Sequence, residues 1–224
     1  MENAAGVSDA TARQAQLKLV VLGATGATGL EVVRNATERG HSVTVFVRAP
    51  DRLAAIKKQI AVKKGDLLDT SQLAKAIEGH DAVISTFGPR LPVSKADANL
   101  LERFATALTR AMERTGVRRV VVESVAFLFK DSIIPPAYLL GKVLFPSIVA
   151  DSAAMERIFS ESGLDWTMVR PPELTNKPYT GKYRVRDGHL PFLGFKISRS
   201  NVADFMIKSA ENRFARHKIF GVSE

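Results

Sequence analysis

The feature that most constrains this chain is a short apolar run, Leu17 to Leu22 (LKLVVL), that passes directly into Gly23-Ala24-Thr25-Gly26-Ala27-Thr28-Gly29. An amphipathic stretch, Gly29 to Arg39, follows, with Leu30, Val33 and Ala36 on one face and Gly40 at its end. That order predicts a buried strand, a glycine turn and a helix. Each glycine has its own physical reason. Gly23 ends the strand and permits a tight turn. Gly26 has no side chain, so a pyrophosphate can approach the backbone. Gly29 lets the helix pack closely on the strand. The helix start, through Ala27, then offers N–H groups and a positive dipole end to phosphates, and Thr25 and Thr28 can add hydroxyl donors. The competing reading is a plain glycine-rich turn. The strand before the turn and the helix after it favour the dinucleotide fingerprint.

The strand–turn–helix pattern recurs. Strands are expected at His41–Arg48, Ile60–Lys63, Ala82–Thr86, Arg119–Glu123, Trp166–Val169 and Lys218–Val222. Helices are expected from Asp51, at Ser71–Ile77, at Ala96–Thr115 before Gly116, at 151–162 with Asp151 or Ser152 as N-cap, and at Asn201–Asn212. Such alternation implies right-handed βαβ units. The expected fold is α/β: a Rossmann-type, doubly wound, mostly parallel sheet flanked by helices, with a small C-terminal substrate-side region. Residues 1–16, small and polar, read as a disordered tail, and 17–224 as a single domain.

Composition narrows the function. The chain has 224 residues, is 46% hydrophobic and 25% charged, and contains no cysteine. Disulfides, thiolate metal sites and cysteine nucleophiles are excluded, which fits a reducing, cytoplasmic compartment. The most apolar window, Ile133 to Val149, is broken by Pro135, Pro136, Lys142 and Pro146, so no membrane span is expected. The net charge of +9 suits nucleic acid or a polyanionic small molecule. The basic residues are scattered and carry no nucleic-acid motif, which favours the small molecule. His41, His80, His189 and His217 show no metal-ligand spacing.

The end of the second strand speaks to the cofactor. A Rossmann protein selecting NAD usually carries Asp or Glu there; this chain has Arg48. A carboxylate would repel a 2′-phosphate, whereas a guanidinium binds it with two prongs. Arg52 can close the other side. NADP(H) is therefore expected, with Asp51 as the residue that could instead reach a ribose, and a solvated surface Arg48 as the plain alternative. After the fourth strand comes Thr86-Phe87-Gly88-Pro89-Arg90, where the glycine lets the chain pass close to the cofactor ribose and nicotinamide.

The Gly-x-x-Gly-x-x-Gly spacing in LVVLGATGATGLEVV resembles that of atypical and extended short-chain dehydrogenase/reductases, including NmrA-like proteins. The segments VFVRAPDRL, GDLLD, FGPR, AFLFKD, ESGLDW, RPPEL, PYTGKY and ISRSNVADFM fall in the same order as in the biliverdin-IXβ reductase/flavin reductase group. The resemblance spans about residues 17 to 220. It implies NADPH-dependent reduction of flavins, tetrapyrroles or similar conjugated acceptors, roles beside the adenine for Asp66 and Leu67, and a last helix packed back under the active site. Two positions depart from the pattern. Val125 stands where the group has a second hydroxyl, and Glu173 where the biliverdin-reducing members have a histidine. An acid there disfavours tetrapyrrole propionates.

Short-chain dehydrogenases often use Ser with Tyr-x-x-x-Lys, the lysine lowering the tyrosine pKa. Tyr138 and Lys142 have that spacing, fourteen residues beyond Ser124. Pro135 and Pro136 precede them, Gly141 interrupts them, and they lie too far ahead of Met155-Glu156. Ser152 occupies the place, one helical turn before that glutamate, where extended enzymes keep the lysine. Residues 137–149 read instead as an inserted apolar segment. Without a secure tyrosine–lysine pair, a flavin or quinone acceptor is favoured, because it can take its proton from water. Ser124, at the fifth strand's end, is the candidate for orienting nicotinamide or substrate, or else it simply caps the strand. After Arg170-Pro171-Pro172, the backbone at Pro171 with Glu173 and Leu174 is expected to line the nicotinamide. The leading expectation is an NADPH-dependent reductase of a flavin, quinone or related small molecule. The alternatives are a regulatory NADP(H)-binding protein without turnover and a carbonyl reductase using Tyr138 and Lys142. The sequence leaves the oligomeric state open.

Overall fold

The computed structural model describes residues 16–53, 57–89, 99–129 and 145–224. Ten strands are seen there: β1 Lys18–Leu22, β2 Ser42–Val47, β3 Ala61–Lys64, β4 Ala82–Ser85, β5 Arg119–Glu123, β6 Asp165–Arg170, β7 Glu173–Thr175, β8 Arg184–Asp187, β9 Lys196–Ser198 and β10 Lys218–Ser223. Five α-helices accompany them: α1 Ala27–Glu38, α2 Thr70–Ile77, α3 Leu100–Thr115, α4 Pro146–Glu161 and α5 Arg199–Glu211.

Eight strands form one sheet in the order β3-β2-β1-β4-β5-β6-β10-β8. All neighbours are parallel except β8, which runs antiparallel to β10 at the edge. The chain leaves β1 in one direction for β2 and β3, and returns to its other side for β4. Between β1 and β4 the order reverses, and in doubly wound sheets that point opens a crevice at the strands' C-terminal ends. The expected Rossmann-type fold is the observed one.

Both faces of the central strands are covered, which explains their unbroken apolar runs. Leu19 and Val21 of β1 point to the α1–α5 side, where Val32, Val33, Val202 and Met206 pack. Val20 and Leu22 point to the α2–α3–α4 side, among Leu73, Phe104, Leu108 and Phe159. Each such fully buried side chain contributes about 1.5–3 kcal/mol.

Several boundaries differ from the sequence reading, the starts of three helices most instructively. Helix α1 starts at Ala27, so its first turn is drawn from the glycine motif itself. Helix α3 starts at Leu100, after Asn99 in the left-handed region. Helix α4 starts at Pro146, with Phe145 as its N-cap, because proline's fixed φ suits a first helical turn. Asp151 and Ser152 therefore lie inside α4 and cap nothing there. Asp151 instead accepts from the N–H groups of Leu101 and Glu102, both at 2.9 Å, and so caps α3 from a neighbouring helix. Residues 146–149 of the expected insertion belong to that helix, and 137–144 lie outside the described residues. Strands β7, β8 and β9 were not expected. β7 and β9 pair in parallel as a small separate sheet just beyond β6.

Candidate functional site

The turn after β1 is built around the Gly23 carbonyl. Gly23 has φ +80, and a side chain there would meet the Thr86 and Phe87 backbone at 2.6–2.7 Å. The N–H of Gly26 donates to the Gly23 oxygen at 2.9 Å. A methyl on Gly29 would fall 2.3 Å from that same oxygen. Gly26 is different: a methyl there would have only the Gly23 oxygen nearby, at 3.3 Å. Two of the three glycines are thus required by the protein's own packing, while Gly26 leaves space for something outside it. Gly26 is the N-cap of α1 and has no side chain to cap the helix. The N–H groups of Ala27 and its neighbours in the first turn are left for an outside acceptor, at the positive end of the helix.

Thr25 is half-buried beside the open space. Thr28 is turned inward instead, and its hydroxyl donates to Glu123 Oε1 at 3.4 Å. Glu123 ends β5. Burial pushes its carboxyl up to about 7, although the Thr28 hydroxyl and the nearby charge of Arg199 pull the other way. Arg199, opening α5, donates to the Leu174 carbonyl at 3.2 Å and to Asn176 Oδ1 at 2.6 Å.

At the β2 side of the crevice, Arg48 and Arg52 are exposed and make no ion pair among the described residues. Asp66 Oδ1 accepts from the Leu68 N–H at 3.0 Å, closing the turn into α2, and Leu67 is buried in the α2–α3 cluster. Beyond β4, Thr86 holds to β1 by donating its N–H to the Leu22 carbonyl at 3.0 Å. The Phe87 ring packs 4.7 Å from that of Phe104, leaving its backbone and exposed Gly88 at the crevice. Arg90 lies outside the described residues.

At the β5–β6 side, Ser124 is buried, and its Oγ has no hydrogen-bond partner among the described residues. Its N–H donates to the Val169 carbonyl at 2.7 Å, and Ala126 N–H to Pro171 at 3.1 Å. Pro171 is buried, Leu174 half-buried and Glu173 exposed, with the Glu173 N–H donating to Phe195 at 3.2 Å. Between α4 and the end of β6, Glu156 is held by Arg170 at 2.5 and 2.9 Å, and that guanidinium stacks 4.6 Å from the Phe129 ring centre. A cavity of about 230 Å³ opens there, lined by Leu128, Glu156, Trp166 and Arg170. It touches none of the glycine-loop residues. Ser152 is 1% exposed. Tyr138 and Lys142 lie outside the described residues. Among the described residues, no group of acids and histidines could hold a metal, and no helix is long and apolar enough to cross a membrane.

The profile of the NAD(P)H-binding family matches residues 23–213. The chain belongs to that family. An uncharacterized chloroplastic protein of Arabidopsis thaliana is 28% identical over 201 residues, covering 86% of this chain and 71% of the relative. A Veillonella parvula short-chain dehydrogenase/reductase in complex with NADP superimposes with a TM-score of 0.75 at 20% identity, covering 94% of this chain and 95% of its own. An anaerobilin reductase of Escherichia coli O157:H7 gives 0.75 at 21% identity, covering 92% and 97%. These two likenesses show a shared fold.

The residues present fit the family's dinucleotide. The clear space before Gly26, the uncapped start of α1 and two exposed guanidiniums beyond β2 are what a nucleotide with several phosphates needs. Sequence reasoning did not single out Glu123 and Arg199, which the fold brings beside Thr28 and Leu174. The signal was available for Glu123: an acid ending an otherwise apolar strand, RVVVE, at the crevice end.

Proposed function

We propose that the protein is an NADPH-dependent reductase of a conjugated small molecule, such as a flavin or quinone. When bound, NADPH supplies the reducing equivalents. The protein's part is to bind, orient and exclude water. Arg48 and Arg52 support the choice of NADPH over NADH, since both guanidiniums stand exposed where the adenosine ribose ends in this fold. The remaining proposed contacts are Gly23, Thr25, Gly26, Ala27 and Gly29 at the diphosphate; Asp66 and the Leu67 backbone near the adenine; Thr86, Phe87, Gly88 and Arg90 along the ribose; and Ser124, Pro171, Glu173 and Leu174 at the nicotinamide.

The observation that carries the acceptor class is Ser152, enclosed at the helical position from which a lysine would serve a catalytic tyrosine. Glu156, next along, is neutralised by Arg170. The Tyr183 hydroxyl donates to Asp204 at 2.5 Å, so its proton is engaged within the fold, and burial with that partner pushes its phenol above the usual range. An acceptor that protonates from water suits such a crevice. Following NADPH absorbance with flavins, quinones and aldehydes tests this. Turnover with the first two is expected. Aldehyde reduction that disappears in Tyr138→Phe would establish the carbonyl reductase instead.

A second reading, an NADP(H)-binding regulator without turnover, is favoured by Val125, which removes a hydroxyl beside Ser124. Tight NADPH binding with no consumption across the whole panel would select it.

A further inference from the structure

The loop between β8 and β9 carries three exposed large apolar side chains within four residues, the most exposed large apolar side chain of the described residues, Phe192, among them. Phe192, Leu193 and Phe195 are 76%, 57% and 58% exposed. They sit on a tight turn closed by the Gly194 N–H donating to Pro191 at 2.9 Å. Leu193 has φ +53, a conformation that bulky side chains rarely adopt. The turn is nevertheless fixed. Arg184 donates to the Phe192 carbonyl at 2.7 Å and to the Glu224 carbonyl at 3.0 Å. Gly194 fits so closely that a methyl would lie 2.5 Å from Ser223 Oγ. A strained, clamped turn that holds leucine and phenylalanine in water points to a role for those side chains outside the fold.

The surroundings identify the kind of partner. Along the sequence, residues 176–200 contain six Lys and Arg side chains and one acid, Asp187, while two further acids, Glu173 and Glu224, are joined to the loop by backbone N–H donation to Phe195 and Lys196. Asp187 is already paired with Lys218 at 2.9 Å. Arg186 is exposed and shares its strand face with Arg184, and exposed Lys196 follows Phe195 directly. Three partly exposed side chains on one turn offer roughly 400 Å², about half of what one partner of a stable protein complex contributes. Apolar tips flanked by the exposed cations Arg186 and Lys196 suit the boundary of an anionic bilayer, where the tips enter the acyl region and the cations meet headgroups.

We infer that the Pro191–Gly194 turn with Phe195 docks the protein peripherally on anionic lipid bilayers. Phe195 is hydrogen-bonded to Glu173, so docking sets the substrate-side end of the crevice against the lipid. The inference stands apart from the acceptor reading.

The test is flotation of the full chain with phosphatidylcholine vesicles, with and without an equal share of phosphatidylglycerol, at low salt and at about 0.5 M salt. Binding is expected only with the anionic lipid and is lost at high salt. Phe192→Ser and Leu193→Gly are each expected to weaken it about tenfold, and Arg186→Glu/Lys196→Glu to remove most of it. Leu193→Gly also relieves the positive φ, so it is expected to melt no lower than wild type while binding less, which separates docking from folding. The inference is overturned by absent flotation, by flotation indifferent to lipid charge, or by flotation unchanged in both turn variants. A wild-type dimer that Phe192→Ser converts to monomer would assign the turn to self-association and overturn it as well.

Discussion

Glu123 places an acid where an anionic cofactor is expected. Its carboxyl rises from 4.5 to about 7, chiefly by burial. Between those pH values the folded protein holds a proton that the unfolded chain has released, so stability falls as pH rises from 4.5 to 7 and stays lowered above. The shift corresponds to about 3 kcal/mol at most, and solvent at this partly exposed group reduces it to about 1–2. Glu123→Gln is therefore expected to raise the melting temperature at pH 8 and to leave it unchanged near pH 4.5. Phosphates near Thr28 would favour the protonated carboxyl further. NADPH affinity is expected to weaken between about pH 6 and 8 with proton uptake on binding, measured by calorimetry in two buffers, and Glu123→Gln to flatten both. On the proposed reading, Arg48 meets the other end of the nucleotide. Arg48→Ala is expected to weaken NADPH about 10- to 100-fold and NADH hardly at all, and equal losses for both would remove the 2′-phosphate role.

At the scale of elements, the close fit of Gly29 against the Gly23 carbonyl predicts that Gly29→Ala abolishes cofactor binding and costs about 1–3 kcal/mol in chemical denaturation. Helices α1 and α5 meet in a second tightly matched seam. Asp204 accepts from Tyr183 at 2.5 Å and pairs with Lys208 at 2.9 Å and with Arg39. Burial alone would raise its carboxyl, but these partners hold it below the usual range, so its contribution is complete at neutral pH and fades as pH falls through the carboxylate region. Asp204→Asn is expected to cost about 3 kcal/mol at pH 7 and less near pH 3, read from urea midpoints. The glycine loop and the strands beside it were legible because their signals are local: an apolar run, glycines at fixed spacing, a helical face. The β7–β9 pair was not, since three-residue strands have no period to read. The start of α4 was hidden because an apolar stretch around Pro146 resembles an insertion as much as a first turn. Asp151 reads as a cap for its own helix, and only folding brings it to α3. The bond between Thr28 and Glu123 joins residues 95 positions apart, a proximity that strand order creates.

For the whole molecule, the family's cofactor binds the folded state, so excess nucleotide is expected to stabilise it. At about 100 times the dissociation constant the gain is about 2.7 kcal/mol, or roughly 5–10 °C in melting temperature for a chain of this length. NADPH is expected to exceed NADH, and the reverse order in a thermal-shift series would contradict the reading of Arg48. The turn after β1 has a further consequence. Its geometry is already complete, closed by Gly26, wedged by Gly29 and braced on Thr86. A nucleotide arriving there meets a turn already formed, so capture is expected to be paced by diffusion and by the pull of a basic chain on an anion. Guests that differ in affinity will then differ mainly in how long they stay.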